Sequence, residues 1–149
     1  MKEILFVCTG NYYRSRLAEL YFNTMAQKKG LPWQAFSVGT EADQNHNEGP
    51  ISIHTIDACI KFNITLPTPY RYPVQISESY LHKAEIVVLI NKEEHFPHLQ
   101  LHFPAFAQAA IAWQILDVEY EKPESAIGAL LKKVELLIEQ IANHEQKSD

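Results

Sequence analysis

Two cysteines in 149 residues are too few for a disulfide framework, so Cys8 and Cys59 read as free thiols suited to a reducing compartment. Basic residues are also scarce. Thirteen Lys and Arg stand against eighteen Asp and Glu, a formal charge of −5, which argues against a nucleic-acid partner held on a broad basic surface. No apolar run approaches the roughly 18 residues of a membrane span, and the N-terminus opens in a strand pattern rather than a basic leader. The expectation is a cytoplasmic chain with neither a nucleic-acid nor a membrane partner. No repeat, low-complexity stretch or linker divides residues 1–149, and a 46% hydrophobic content suffices for one domain with a sizeable core.

What is present alternates between two periods. Ile4-Leu5-Phe6-Val7 is a short apolar run typical of a buried parallel strand, and Leu17, Ala18, Tyr21, Phe22 and Met25 recur at helical spacing from Ser15 to Lys29, with Gly30 as the stop. A second strand is expected at Ala35 to Gly39, then a polar loop over residues 40 to 50. The next helix presents Ile53, Ile56, Ile60 and Cys59 to the core and ends near Asn63. Pro67, Pro69 and Pro73 leave an irregular crossing. Ile86 to Ile90 has no polar alternation and reads as a strand buried on both faces; Asn91 with Glu94 three residues on marks a helix start. Pro97 and Pro104 permit no firm element from Phe96 to Ala110. Trp113 to Leu116 is expected as the last strand, and Pro123 opens a long helix carrying Ile127, Leu131, Val134, Ile138 and Ile141 on one stripe, with a frayed tail from His144. This order predicts a small doubly wound α/β fold of about four parallel strands with helices on both faces. Its site lies at the carboxyl ends of the strands, where both Cys8 and Asp117 fall.

Between the first strand and first helix stands Cys8-Thr9-Gly10-Asn11-Tyr12-Tyr13-Arg14-Ser15. A loop there aims backbone N–H groups and the positive end of a helix at one point, which suits phosphate or another oxyanion. A helix N-terminus and a nearby guanidinium both favour a thiolate. Arg14 can grip two phosphoryl oxygens as a planar fork, Gly10 and Asn11 tolerate unusual backbone angles, and Ser15 can donate to the sulfur. A leaving oxygen needs a proton, for which Asp117 is the candidate by position. Cys59 reads as a small core residue. His95, His98 and His102 could suggest a metal face, but Pro97 interrupts the helix such a face needs, so solvated histidines are expected.

The Cys-(five residues)-Arg-Ser motif, followed by Leu17-Ala18-Glu19, resembles the low-molecular-weight protein-tyrosine phosphatase family. Ser37-Val38-Gly39-Thr40, Gly49-Pro50 before a helix, and Trp113 to Asp117 before a long terminal helix extend the resemblance over nearly the whole chain. It implies a phosphocysteine intermediate on Cys8, Arg14 as phosphate clamp, Ser15 as thiolate stabiliser, and Asn11, bonded to Ser15 and Ser37, as organiser of the P-loop. It also implies Asp117 as general acid and then activator of water. No metal or other cofactor is required by that mechanism, and the substrate is a phosphorylated protein, phosphotyrosine first, or a small phosphomonoester.

The chain departs from the family pattern at several positions. Tyr13 stands where a second cysteine is common, which removes the local disulfide partner of Cys8. Arg16 and Val118 replace prolines, and Tyr120, beside Glu119, is what remains of a pair of aromatics beyond the acid. Tyr12 and Tyr13 are expected to wall the pocket. Two other functions are compatible with the loop: arsenate reduction, which would need an external thiol because Cys59 is the only second cysteine, and noncatalytic phosphate binding.

Overall fold

The computed structural model describes residues 1–44, 46–117 and 122–147. Its centre is β1 (Lys2–Cys8), flanked by β2 (Trp33–Gly39) and β3 (Ile86–Leu89), with β4 (Ile111–Ala112) outside β3. The sheet order is β2-β1-β3-β4 and every pair is parallel. Alternation along β1 assigns its two faces. Ile4, Phe6 and Cys8 meet one core, and Leu5 and Val7 the other; a strand whose successive side chains point to opposite sides must be apolar throughout when both sides are covered.

On the first face lie α1 (Arg14–Lys29), α2 (Ile53–Lys61) and α6 (Pro123–Lys147), packed through Leu17, Phe22, Ala58, Leu130, Val134 and Ile138. On the second lie α3 (Glu78–Lys83), α4 (Lys92–His102) and α5 (Pro104–Ala107), packed through Leu81, Leu99 and Ala107. Gly30 ends α1 in the left-handed conformation, φ 66°, which glycine adopts without a Cβ penalty. The crossing through Pro67 to Pro73 is irregular, as its prolines require.

Four expectations are corrected. In α2 the inward face carries Thr55, Ala58 and Cys59, while Ile53 and Ile60 are 60% and 77% exposed; the Thr55 hydroxyl donates to Tyr13 O at 3.1 Å and fixes that rotation. A helix does cross Pro97. The ring forfeits one bond, to the carbonyl four residues back, but the Asn91 cap and buried His95 and Leu99 anchor the helix. The last strand is shifted: β4 ends at Ala112, and residues 113–115 run on beside β3 through Trp113 N to Leu89 O at 2.8 Å and Ile115 N to Ile90 O at 3.0 Å. Finally, α6 stays helical past His144, to Lys147. Val118, Glu119 and Tyr120 lie outside the described residues.

Candidate active site

Residues 8–15 join β1 to α1 at the carboxyl edge of the sheet, and their carbonyls are tied outward. Thr40 N donates to Cys8 O at 2.8 Å, Glu41 N to Thr9 O at 2.9 Å, and Ser52 N to Tyr12 O at 3.0 Å; Arg16 Nη1 donates to Asn11 O at 3.4 Å. Across a planar trans peptide the following N–H points the opposite way. The amides of Thr9, Gly10, Tyr12 and Tyr13 therefore turn toward the concave side. α1 begins there with Tyr13 at its cap position, no side chain capping it and no acidic residue in its first turn. An uncapped helix start of this kind leaves donors and positive potential for an anion.

Asn11 holds the loop from behind. It is fully buried with φ 52°, so the left-handed step expected of Gly10 or Asn11 is made by Asn11. Its amide hydrogens go to Ser15 Oγ at 2.8 Å and Ser37 Oγ at 2.9 Å, and its oxygen accepts from Arg71 Nη1 at 3.0 Å and Val74 N at 2.9 Å. All four of its hydrogen-bonding positions are thus used. Since Ser15 Oγ accepts from Asn11, its own hydrogen can go to Cys8 Sγ, 2.7 Å away.

Two arginines that the loop motif does not include complete this scaffold. Arg71, in the proline-rich crossing, donates to Glu19 Oε1 at 2.6 Å and to Ser37 O and Oγ at 3.0 and 2.8 Å, and lies 4.3 Å over the Phe36 ring. Arg16 is buried and donates to Pro50 O at 2.9 Å and Arg71 O at 2.7 Å. Burial, and then the charge of Arg71, push the Arg16 pKa down to about 10, so it stays cationic at neutral pH. Arg16 thus forms a cross-brace between the loop, Pro50 and the crossing.

Arg14 is almost wholly buried. Its Nη1 and Nη2 donate to Glu94 Oε1 and Oε2, both at 3.0 Å, and Nη1 also donates to Ile115 O at 2.9 Å. Asp117 Oδ2 lies 3.6 Å from Nη2. Burial alone would lower the Arg14 pKa, but the Glu94 bond and the charges of Cys8, Glu94 and Asp117 outweigh it and hold the guanidinium above its usual value. Glu94 is drawn well below the carboxylate range, because bonds from His95 and Arg14 overcome its partial burial.

Most of the expected site residues meet at a cavity of about 780 Å³, lined by Cys8, Thr9, Gly10, Tyr12, Tyr13, Arg14 and Asp117 together with residues 46–48 and 51–54. The Tyr12 hydroxyl donates to Glu48 O at 2.5 Å, and the Tyr13 ring sits 5.6 Å from His54. The two tyrosines thus touch other residues of the cavity lining. Ser37 stands behind Asn11, outside the lining. Cys59 is buried on α2, and burial raises its thiol to about 11.

From spacing alone Glu94 is expected only to cap a helix, and His95 to be solvated. His95 is instead completely buried, with Nε2 3.1 Å from Thr9 Oγ1 and Nδ1 accepting from Asn91 N at 3.0 Å. The Asn91-x-x-Glu94 spacing was a signal for a helix start, and Asn91 Oδ1 does accept from the amides of Glu93 and Glu94. The return bond to the Asn91 amide comes from His95, which frees the Glu94 carboxylate to reach Arg14. Among the described residues no group of three His, Cys, Asp or Glu side chains is placed to hold a metal ion, and no helix is long and apolar enough to cross a membrane.

Comparison with known proteins places the fold. A protein-arginine-phosphatase of Bacillus subtilis (strain 168) is 30% identical over 91 residues, a match covering 61% of this chain and 57% of that protein's length. Among solved structures, a low molecular weight protein tyrosine phosphatase from T. tengcongensis superposes with a TM-score of 0.80 at 23% identity, covering 94% of this chain and 99% of its own. YfkJ from Bacillus subtilis gives 0.83 at 23% identity, with 97% and 96% covered. These likenesses concern the fold. The family model described as low molecular weight phosphotyrosine protein phosphatase matches residues 3–147, and on that match the chain belongs to the low molecular weight phosphotyrosine protein phosphatase family.

Proposed function

We propose that this protein hydrolyses phosphate monoesters on protein side chains through a phosphocysteine, with Cys8 as nucleophile, Arg14 as phosphate clamp and Asp117 as general acid. The observation that carries this is the cavity itself, which brings together a hydroxyl-bonded thiol, the loop residues that follow it, and a carboxyl beside the clamp arginine. The bound phosphoryl group rests on the loop amides and the guanidinium, whose charges favour the equatorial oxygens of an in-line transition state. The Cys8 thiolate forms an S–P bond as the P–O bond to the leaving group breaks, and Asp117 gives that oxygen its proton. A water then attacks phosphorus, losing a proton to Asp117, the S–P bond breaks and phosphate leaves. Ser15 stabilises the departing thiolate; Thr9, Gly10, Asn11, Tyr12 and Tyr13 shape the cradle.

Phosphotyrosine is the first substrate class, in a cytoplasmic setting. A second class is phosphoarginine, a phosphoramidate in which the P–N bond breaks as S–P forms and Asp117 protonates the leaving nitrogen. It is favoured by one observation: Glu41 and Glu48 line the same cavity, where they would attract a cationic leaving group, and the relative from Bacillus subtilis is a protein-arginine-phosphatase. Arsenate reduction through an internal thiol finds no support in the buried Cys59. The test is p-nitrophenyl phosphate turnover by wild type, Cys8→Ser and Asp117→Asn, with acid-quench trapping of the intermediate. Cys8→Ser is expected to abolish turnover and Asp117→Asn to lower it about 100-fold. A wild type that neither turns over nor traps phosphate would leave only noncatalytic binding. Peptides carrying phosphotyrosine or phosphoarginine then rank the two classes.

A further inference from the structure

We infer that Glu94 is a positioning residue of this reaction: it holds the outer edge of the Arg14 guanidinium so that the inner edge faces the phosphoryl group. This rests on the phosphatase reading above. The guanidinium has two edges that can accept a bidentate partner, the Nη1/Nη2 end and the Nε/Nη2 side. Glu94 takes the end with two bonds of 3.0 Å, and Ile115 O takes the remaining Nη1 hydrogen at 2.9 Å. That leaves the Nε hydrogen and the second Nη2 hydrogen as the donor pair for a phosphate, with Asp117 Oδ2 3.6 Å from the same Nη2.

Glu94 is itself held. Thr9 Oγ1, on the phosphate loop, donates to Glu94 Oε2 at 3.0 Å. His95 accepts the Asn91 amide at Nδ1, which fixes its proton on Nε2, toward Thr9 Oγ1 at 3.1 Å and Glu94 Oε2 at 3.4 Å. The carboxylate is thus located from the loop on one side and from the buried His95 of α4 on the other. Its charge also keeps the buried guanidinium paired before substrate arrives, so the clamp is oriented in advance.

An orienting group and a purely structural one differ in what they change. Orientation affects the transition state more than the ground state. Glu94→Gln retains size and one acceptor but places an amide against a guanidinium hydrogen, which breaks the bidentate pair. The variant is expected to lose kcat by about 10- to 100-fold and to bind orthovanadate, a transition-state mimic, weaker by a similar factor. Its affinity for inorganic phosphate should change much less, while its Tm falls, since the buried Arg14 loses its charged partner; the vanadate-against-phosphate difference is what a merely structural role would not produce. Calorimetric titrations with vanadate and phosphate, alongside p-nitrophenyl phosphate kinetics and thermal unfolding, read all four. Unchanged kcat and unchanged vanadate affinity in Glu94→Gln, with an active wild type, would overturn the role of Glu94 alone. Equal losses for vanadate and phosphate would also overturn it, since the residue would then support binding uniformly. A wild type that neither turns over nor binds either anion removes the phosphatase reading and this inference with it.

Discussion

Gly39 sits where β2 ends against the phosphate loop, and the space its side chain would need is already filled. A Cβ built there would lie 2.5 Å from Thr9 O and 2.9 Å from Asn11 N. Both are backbone atoms, so neither can swing aside as the end of a flexible side chain could. Gly39→Ala must move the loop, because β2 is held by seven residue pairs to β1. The expected cost is about 1–3 kcal/mol of stability, with kcat down about tenfold or more as the inward amides are displaced. Urea unfolding and p-nitrophenyl phosphate kinetics measure the two effects. An alanine variant with wild-type midpoint and kcat would show that the loop can yield at no cost.

Element by element, α4 illustrates what the sequence could and could not disclose. Its start was legible because the cap is local: Asn91 Oδ1 bonds amides two and three residues on, at 3.1 and 3.3 Å. Its passage through Pro97 was not, since the cost of one missing bond is local but the burial of His95 and Leu99 that offsets it is tertiary. Cys8, Arg14 and Ser15 were legible together because the chemistry is packed into one eight-residue loop. Glu94, Arg71 and Arg16 were not, because each reaches the loop from another element or binds carbonyls, which leaves no trace in spacing. Ile53 and Ile60 misled because an apolar periodicity in a nine-residue helix cannot tell its two faces apart. The cap gives a prediction for this element. Asn91→Ala should cost about 1–2 kcal/mol and also lower kcat, as the first turn of α4 carries Glu94; Asn91→Asp, which keeps the accepting oxygen, should recover most of both. Loss of stability without loss of kcat in Asn91→Ala would separate the helix start from the site.

Across the whole molecule, the loop, α1 and α4 meet around a buried histidine, and this ties stability to pH. Burial, aided by the nearby Arg14 charge, lowers the His95 pKa against the opposing pull of Glu94. The unfolded chain, with an ordinary histidine near 6.5, therefore takes up this proton first as pH falls. Stability from His95 is complete above about pH 6.5 and is lost as pH drops below it toward the folded pKa. Glu94 acts with the same sign at lower pH: its folded pKa is depressed, so its contribution is present above the unfolded value of about 4.3 and lost as pH falls through the folded one. His98, also lowered, first by burial and then by the charge of His102, adds to the upper window. The Tm of the wild type should decline from about pH 7 to about pH 5. His95→Asn retains an acceptor for the Asn91 amide and cannot titrate; it should be less stable throughout, because a large buried ring is lost, yet show a flatter decline over that interval. The slope, not the level, is the measurement. Parallel curves for wild type and His95→Asn would mean that the proton is taken up elsewhere and that the buried ring couples loop and helix by packing alone.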